Sequence, residues 1–294
     1  MSKSIAFSPD SKAMLSKTVD NRIKSWKIEG NTVSLVKKHD AHSKTIHELA
    51  FSSDGTLAAS ASADGTVKIW RFDNYVLEEL QTLEGHMDSV FCLAFSHDDT
   101  LLATGSMDNT IRIWRRTGVT FSLETVLEDH ASWVNSVAFH PSGGLLFSAS
   151  SDSTITVWNA GDKFTKRQSI RAHSSWVNCL ACSPSGLLAS AGSDAAVRIW
   201  RPDDSQQFSE FAVLRGYGDR VFSVAFSPDG SHLATCGKDT WIKIWKQVDD
   251  DFCLTNSLSG YEESVVCVAF SPDSRFLGAE GVDNKIKLWP VIRR

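Results

Sequence analysis

Seven tryptophans set the frame of this sequence. Trp26, Trp70, Trp114, Trp158, Trp200, Trp245 and Trp289 follow one another at intervals of 44, 44, 44, 42, 45 and 44 residues. Six residues ahead of each stands an aspartate: Asp20, Asp64, Asp108, Asp152, Asp194, Asp239 and Asp283. A second phrase precedes that one, an alternating apolar run closed by a turn, as in Val221–Phe226 before Ser227-Pro-Asp-Gly. Self-similarity at a fixed period marks one supersecondary unit repeated along the chain. Apolar residues at every second position, with Gly, Pro and Asp between the runs, read as short antiparallel strands. No stretch carries the helical period. A single such unit cannot bury its own apolar face, so it must stack on its neighbours.

The period near 44, a Gly-His-like dipeptide (Gly85-His86), the Asp-x-Thr turn and the closing Trp resemble the WD40 repeat. The resemblance covers essentially the whole chain, read here as one domain over residues 1–294. The residue after each Trp is Lys27, Arg71, Arg115, Asn159, Arg201, Lys246 or Pro290, never Asp; this position varies in the family. The resemblance implies an all-β fold, a seven-bladed β-propeller of four-stranded antiparallel blades, with strands a to d running from innermost to outermost. Blade 3 is then Val90–Phe95, Leu101–Ser106, Thr110–Trp114 and Phe121–Leu127. In the outer strands Phe121/Leu127, Phe164/Ile170, Phe208/Leu214 and Phe252/Leu258 are each six apart, an even spacing that places both side chains of a pair on one face. Aligning the N-terminal Ser4–Asp10 with the sister runs puts Met1 near the start of blade 1. Lys285–Trp289 becomes strand c of blade 7, with only Pro290–Arg294 after it. The last blade is therefore expected to have three strands, its edge sealed by residues encoded upstream or by a strand donated from a partner.

Composition narrows the classes. Thirty basic residues against 35 acidic ones give a net charge of −5, and no run of like charge is long enough to be a tail. Nothing favours a phosphate backbone, so no direct nucleic-acid contact is expected. The longest apolar runs are about six residues, far short of a membrane span. Six cysteines sit inside strand-like runs, among them Cys92 and Cys267, and read as small buried hydrophobes. A reducing compartment follows, the cytoplasm or the nucleus.

Four repeats carry His, Ser or Thr, Asp and Trp in register: His42/Ser60/Asp64/Trp70, His86/Thr104/Asp108/Trp114, His130/Ser148/Asp152/Trp158 and His173/Ser190/Asp194/Trp200. The residue types are those of a hydrolase triad, but four copies in one chain, without an oxyanion pocket, argue against catalysis. The resemblance implies a buried hydrogen-bond network from Asp through His and hydroxyl to the indole N–H. The pattern thins at the ends: Tyr217 replaces His in blade 6, blade 7 has Tyr261 and Ala279, and blade 1 keeps Ser16, Asp20 and Trp26. Cys179 and Cys182 are three apart on one strand, hence on opposite faces. No metal, cofactor or catalytic residue is expected, and Glu48 reads as solvated or paired.

By the same resemblance, the loops between blades and between strands b and c gather on one face, the top. Trp133, Trp176 and Arg220 open strand a at the channel mouth, where sister repeats have Thr45, Ser89 and Ser264. Two residues on lie His47, Phe91, Asn135, Asn178, Phe222 and Val266. Lys238 precedes the turn Asp of blade 6, and Trp241 follows it by two. Exposed Trp and Arg dominate protein-binding hot spots. The candidate protein-binding residues are thus Trp133, Trp176, Arg220, Trp241, Lys238, Phe91, Phe222, Asn135 and Asn178. The function expected is a non-enzymatic scaffold or adaptor binding protein or peptide partners in a multiprotein complex. The alternatives are a reader of peptides or modified tails through the top-face pocket and, from the segment 246–254, a targeting subunit of cytosolic iron–sulfur protein assembly.

Overall fold

A computed structural model describes residues 4–249 and 251–291. Among these residues every regular element is a β-strand, and the strands form seven antiparallel sheets. Six sheets have four strands in chain order. The seventh has three, Val265–Phe270, Phe276–Gly281 and Ile286–Pro290. Strand c of this last sheet is shifted one residue from the expected Lys285–Trp289, and the expected place of Met1 lies outside the described residues.

Blade 3 shows how a repeat folds. Val90–Phe95, Leu101–Ser106, Thr110–Thr117 and Thr120–Glu128 pair in sequence, the outer two running a few residues longer than the tryptophan spacing indicated. The apolar surface lies between blades. Cys92, Ile111, Ile113 and Leu127 of blade 3 pack on Val134, Val137, Leu146 and Trp158 of blade 4. Six more clusters of this kind follow, and one of them joins Ile5, Phe7 and Met14 of blade 1 to Cys267 and Phe276 of blade 7, so the sheets close into a ring. Each large apolar side chain removed from water in these wedges contributes roughly 1.5–3 kcal/mol.

In blades 2 to 6 two bulges shape the sheet. One lies between strands c and d, where Ile113 pairs with Thr125 but Trp114 pairs with Leu123, leaving Glu124 as an extra residue. This corrects the expectation for the outer strands. The extra residue reverses the alternation, so Phe121 packs toward blade 2 beside Leu102 and Trp114, while Leu127 packs toward blade 4. Phe208 and Leu214 divide in the same way, as do Phe252 and Leu258 and the pair Phe164 and Ile170. An even spacing thus serves two opposite faces, and one outer strand helps to build two wedges.

The other bulge lies at the top of strand a. In blades 2 to 7 it falls on His47, Phe91, Asn135, Asn178, Phe222 and Val266. A bulge re-aims the side chain it carries, and here it falls where the strand reaches the channel mouth.

Candidate functional site: an aromatic arc across the top face

The four tetrads form as hydrogen-bond networks. In blade 3, Nδ1 of His86 lies 2.8 Å from Asp108, Nε2 lies 2.9 Å from the Thr104 hydroxyl, and the Trp114 indole N–H donates to that hydroxyl at 3.0 Å. With Nδ1–H donating to the carboxylate, Nε2 accepts from Thr104. Blades 2, 4 and 5 repeat this arrangement through Ser60, Ser148 and Ser190. All four hydroxyls are fully buried and already accept an indole N–H, so none can meet a substrate.

The turn aspartates show the electrostatics of this arrangement. Burial pushes the Asp64 carboxyl up, but hydrogen bonds from Thr66 and His42 outweigh it and hold the group down at about 2. Asp108, Asp152 and Asp194 are held lower still against the same burial, chiefly by their histidines. Burial pushes the His42 imidazole below its ordinary value despite Asp64. Glu48 is buried and accepts the Leu93 N–H at 3.2 Å, a structural tie between blades 2 and 3. Cys179 and Cys182 pack in the wedges on opposite sides of blade 5.

Seven of the nine candidate binding residues divide into two groups, with Lys238 and Trp241 in neither. Asn135 and Asn178 are buried and committed to the scaffold. Asn135 Nδ2 donates to the Ser151 hydroxyl and to the Val177 carbonyl of the next blade, both at 2.9 Å. Asn178 does the same to Ser193 at 3.0 Å and Val221 at 2.8 Å. Phe222 is also buried.

The second group faces solvent and forms a row. Phe91 meets Trp133 edge-on with ring centroids 6.1 Å apart, and Trp133 and Trp176 are 6.1 Å apart at 52°. The Arg220 guanidinium lies 5.8 Å from the centre of the Trp176 ring. The row therefore crosses blades 3 to 6. Trp133 is 38% exposed and Trp176 is 44% exposed, yet their backbones are fixed: their carbonyls accept the Ser151 and Ser193 N–H groups, each at 2.9 Å. Rings anchored this way expose apolar surface with little left to order on binding.

Charge in this region is unevenly committed. Lys238 pairs with Asp219 at 2.8 Å, and the same carboxylate accepts the Arg220 backbone N–H at 2.8 Å. Among the described residues, no carboxylate lies within ion-pair distance of the Arg220 guanidinium. Trp241 is 43% exposed on the strand b–c turn, and no ring contact joins it to the arc among the described residues.

His47 extends the row: its ring meets Phe91 edge-on at 4.8 Å, and burial holds its imidazole down at about 4. The sequence places it two residues after the strand opening, but its type did not mark it as a binding residue. Exposed Val19, Met87 and Val282 add apolar surface to the top loops, and no residue-type rule singles out an isolated aliphatic side chain.

Comparison with known proteins agrees with this architecture. The sequence model of the WD domain, G-beta repeat, matches residues 33–71, 77–115, 121–159, 164–201, 208–246 and 252–290. Each match begins in, or one residue before, the outer strand of one blade and ends after the Trp of the next, so the sequence unit straddles two sheets. Coronin-7 of Mus musculus is 43% identical over 60 residues, which are 20% of this chain and 6% of that protein. The probable cytosolic iron-sulfur protein assembly protein 1 of Eremothecium gossypii is 40% identical over 72 residues, 23% of this chain and 22% of that protein. Protein transport protein sec13 of Emericella nidulans is 28% identical over 88 residues, 29% of this chain and 28% of that protein. The matched stretches thus span less than a third of each of these relatives.

Proposed function

The chain belongs to the WD40 repeat family, and from that premise we propose that it is a non-enzymatic adaptor in a multiprotein assembly of the cytoplasm or nucleus, binding a protein or peptide partner through Trp133, Trp176 and Arg220. The observation that carries this reading is the exposed, backbone-anchored Trp133–Trp176 pair with a cation at its end. The repeat does not require these rings, because sister blades place Thr45, Ser89 and Ser264 there. A reader of methylated or otherwise cationic tails fits less well. Its aromatic side chains would surround the ligand, whereas here they stand in a row that ends in a guanidinium.

The test begins with affinity purification of the full chain from its own cell and identification of what it retains. Trp133→Ala and Trp176→Ala are each expected to weaken that partner by more than about 1 kcal/mol while leaving the melting temperature unchanged. A partner that binds both variants as it binds the parent protein removes this reading.

A narrower reading, a subunit of cytosolic iron–sulfur protein assembly, draws on the relative of that name and on the segment 246–254. It rests on less than a quarter of the chain.

One further contact has an observation of its own. On blade 7, Ile286, Leu288 and Trp289 are half-exposed, where the equivalent residues of blade 3 (Ile111, Ile113 and Trp114) are buried under an outer strand. We propose that an extended segment completes this blade by strand addition. A peptide copying the outer strand of blade 6, Asp251–Leu258, should raise the melting temperature when added in excess, and no shift at saturating peptide counts against it.

A further inference from the structure

Resting on the reading of the arc as a partner site, we infer that it selects an extended peptide with an apolar or aromatic residue followed two positions later by a carboxylate. Three observations set this pattern.

The first is spacing. The arc advances by 6.1 Å from Trp133 to Trp176 and by 5.8 Å from Trp176 to Arg220. An extended chain rises about 3.3 Å per residue and points alternate side chains to one face, so residues i and i+2 sit roughly 6.6 Å apart on the same side. One ring-to-ring step of the arc therefore matches one such pair. An apolar side chain packed on the exposed surface of Trp176 brings the side chain two residues on to Arg220.

The second is the state of the cation. Arg220 lies against the indole and has no acidic partner among the described residues, while neighbouring Lys238 is tied to Asp219 at 2.8 Å. A guanidinium resting on a ring keeps its planar fork of N–H donors, the group that binds a carboxylate in bidentate fashion.

The third is the count of charge. A phosphate brings a charge of roughly −1.5 to −2 and is best held by several cations. Here one unpaired cation stands beside Asp219, whose carboxylate repels a dianion more than a monoanion. The fit is to Asp or Glu.

The experiment is a selection of random dodecapeptides displayed on phage against the full chain. Selected sequences are then synthesised and titrated by fluorescence anisotropy. Enrichment of an apolar or aromatic residue with Asp or Glu two positions on is expected. Arg220→Ala should weaken these peptides roughly tenfold, the scale of one charge-assisted contact. Arg220→Glu should abolish binding of the acidic peptide and restore it for the version with Lys at that position. Peptides that lose affinity with Trp133→Ala and Trp176→Ala but are indifferent to Arg220→Glu overturn the carboxylate inference and leave the adaptor site standing. A synthetic peptide with phosphoserine in place of the selected Asp or Glu that binds more tightly, and loses that gain with Lys238→Ala, also overturns it. Peptides indifferent to all the arc variants overturn both. Because these side chains are exposed, an unchanged thermal melt serves as the folding control for each variant.

Discussion

Blades 2 to 5 and blades 6, 7 and 1 carry the same repeat but hold it together by different means. In blades 2 to 5 the turn aspartate, the histidine, the hydroxyl and the indole form one continuous chain of bonds, and no member lacks a partner. In blade 6 Tyr217 reaches the Thr235 hydroxyl directly at 2.9 Å, and Asp239 turns instead to Lys243 at 2.7 Å. In blade 7 the Tyr261 hydroxyl donates to the Ala279 carbonyl at 2.6 Å, and Asp283 pairs with Lys285 near the surface. Among the described residues, blade 1 retains of this network only the bond from Trp26 to Ser16, at 2.8 Å. The wedge survives all of these changes, because it depends on apolar burial. The network that ties the top turn to the sheet does not survive. The aromatic arc is built chiefly on the fully networked side: Phe91, Trp133 and Trp176 belong to blades 3, 4 and 5. A rigid platform is what a binding surface needs.

The comparison has a direct break point. Asp108 accepts bonds from His86, the Met87 N–H, and both the N–H and hydroxyl of Thr110. Asp108→Ala orphans those donors, the buried His86 imidazole among them, and is expected to destabilise the protein by about 1–3 kcal/mol. Asp283→Ala, at the equivalent position of blade 7, is expected to leave the urea midpoint unmoved. Equal losses at the two sites would mean that the networks do not distinguish the two halves of the ring.

Most of the fold was legible because the tryptophan period is a one-dimensional signal. Blade number, the starts of the inner strands of blades 2 to 7 to within one residue, and the three-stranded last sheet all follow from counting. The faces of the outer strands did not follow, because a bulge changes parity without leaving a residue-type signature: Glu124, the extra residue in blade 3, looks like any exposed acid. Trp133, Trp176 and Arg220 could be picked out because they depart from the repeat, and the geometry joins all three. Trp241 departs equally but makes no ring contact with them among the described residues. Asn135 and Asn178 share their register with Phe91, yet a polar side chain at that bulge bonds back into the next blade. Burial could not be told from exposure there by register alone.

Two kinds of carboxylate, one in each half, should also answer to pH with opposite signs. Asp64 is held at about 2, below the ordinary carboxylate value of about 3.9, so its contribution is complete above roughly pH 4 and is lost as pH falls toward 2. Asp108, Asp152 and Asp194 act in the same direction. Glu280 lies in the seam between blades 7 and 1, fully buried, with the Ser4 hydroxyl nearby but no hydrogen bond of full geometry to either carboxylate oxygen among the described residues. Burial raises its carboxyl, against the nearby positive charge of Lys17. A raised acid favours the folded state only while protonated, so its contribution is present below about pH 4.3 and disappears as pH rises through its folded value. Glu280→Gln should therefore be more stable than the parent at neutral pH, with the gap closing toward pH 4. Denaturation midpoints across that range measure it, and a gap that stays constant would show that the seam carboxyl is not the source.

The smallest expected effect lies in the turn that follows each aspartate. The next residue has a left-handed backbone in every blade: Asn21, Gly65, Asn109, Ser153, Ala195, Thr240 and Asn284, with φ between 58° and 83°. Gly and Asn adopt this region readily, but a β-branched residue does not. Blade 6 alone places a β-branched residue there, Thr240 at φ 68°, immediately before Trp241. Thr240→Asn, which takes the residue of blades 1, 3 and 7, is expected to stabilise the protein by about 0.5–1 kcal/mol. The reciprocal Asn109→Thr should cost a similar amount, because it moves the same strain into a fully networked blade. If Thr240→Asn stabilises and Asn109→Thr is neutral, the tetrad absorbs the strain and the networked half is the stiffer one by a margin that can be measured. If neither change moves the midpoint, backbone strain in these turns does not separate the halves, and the difference between them rests on the side-chain networks alone.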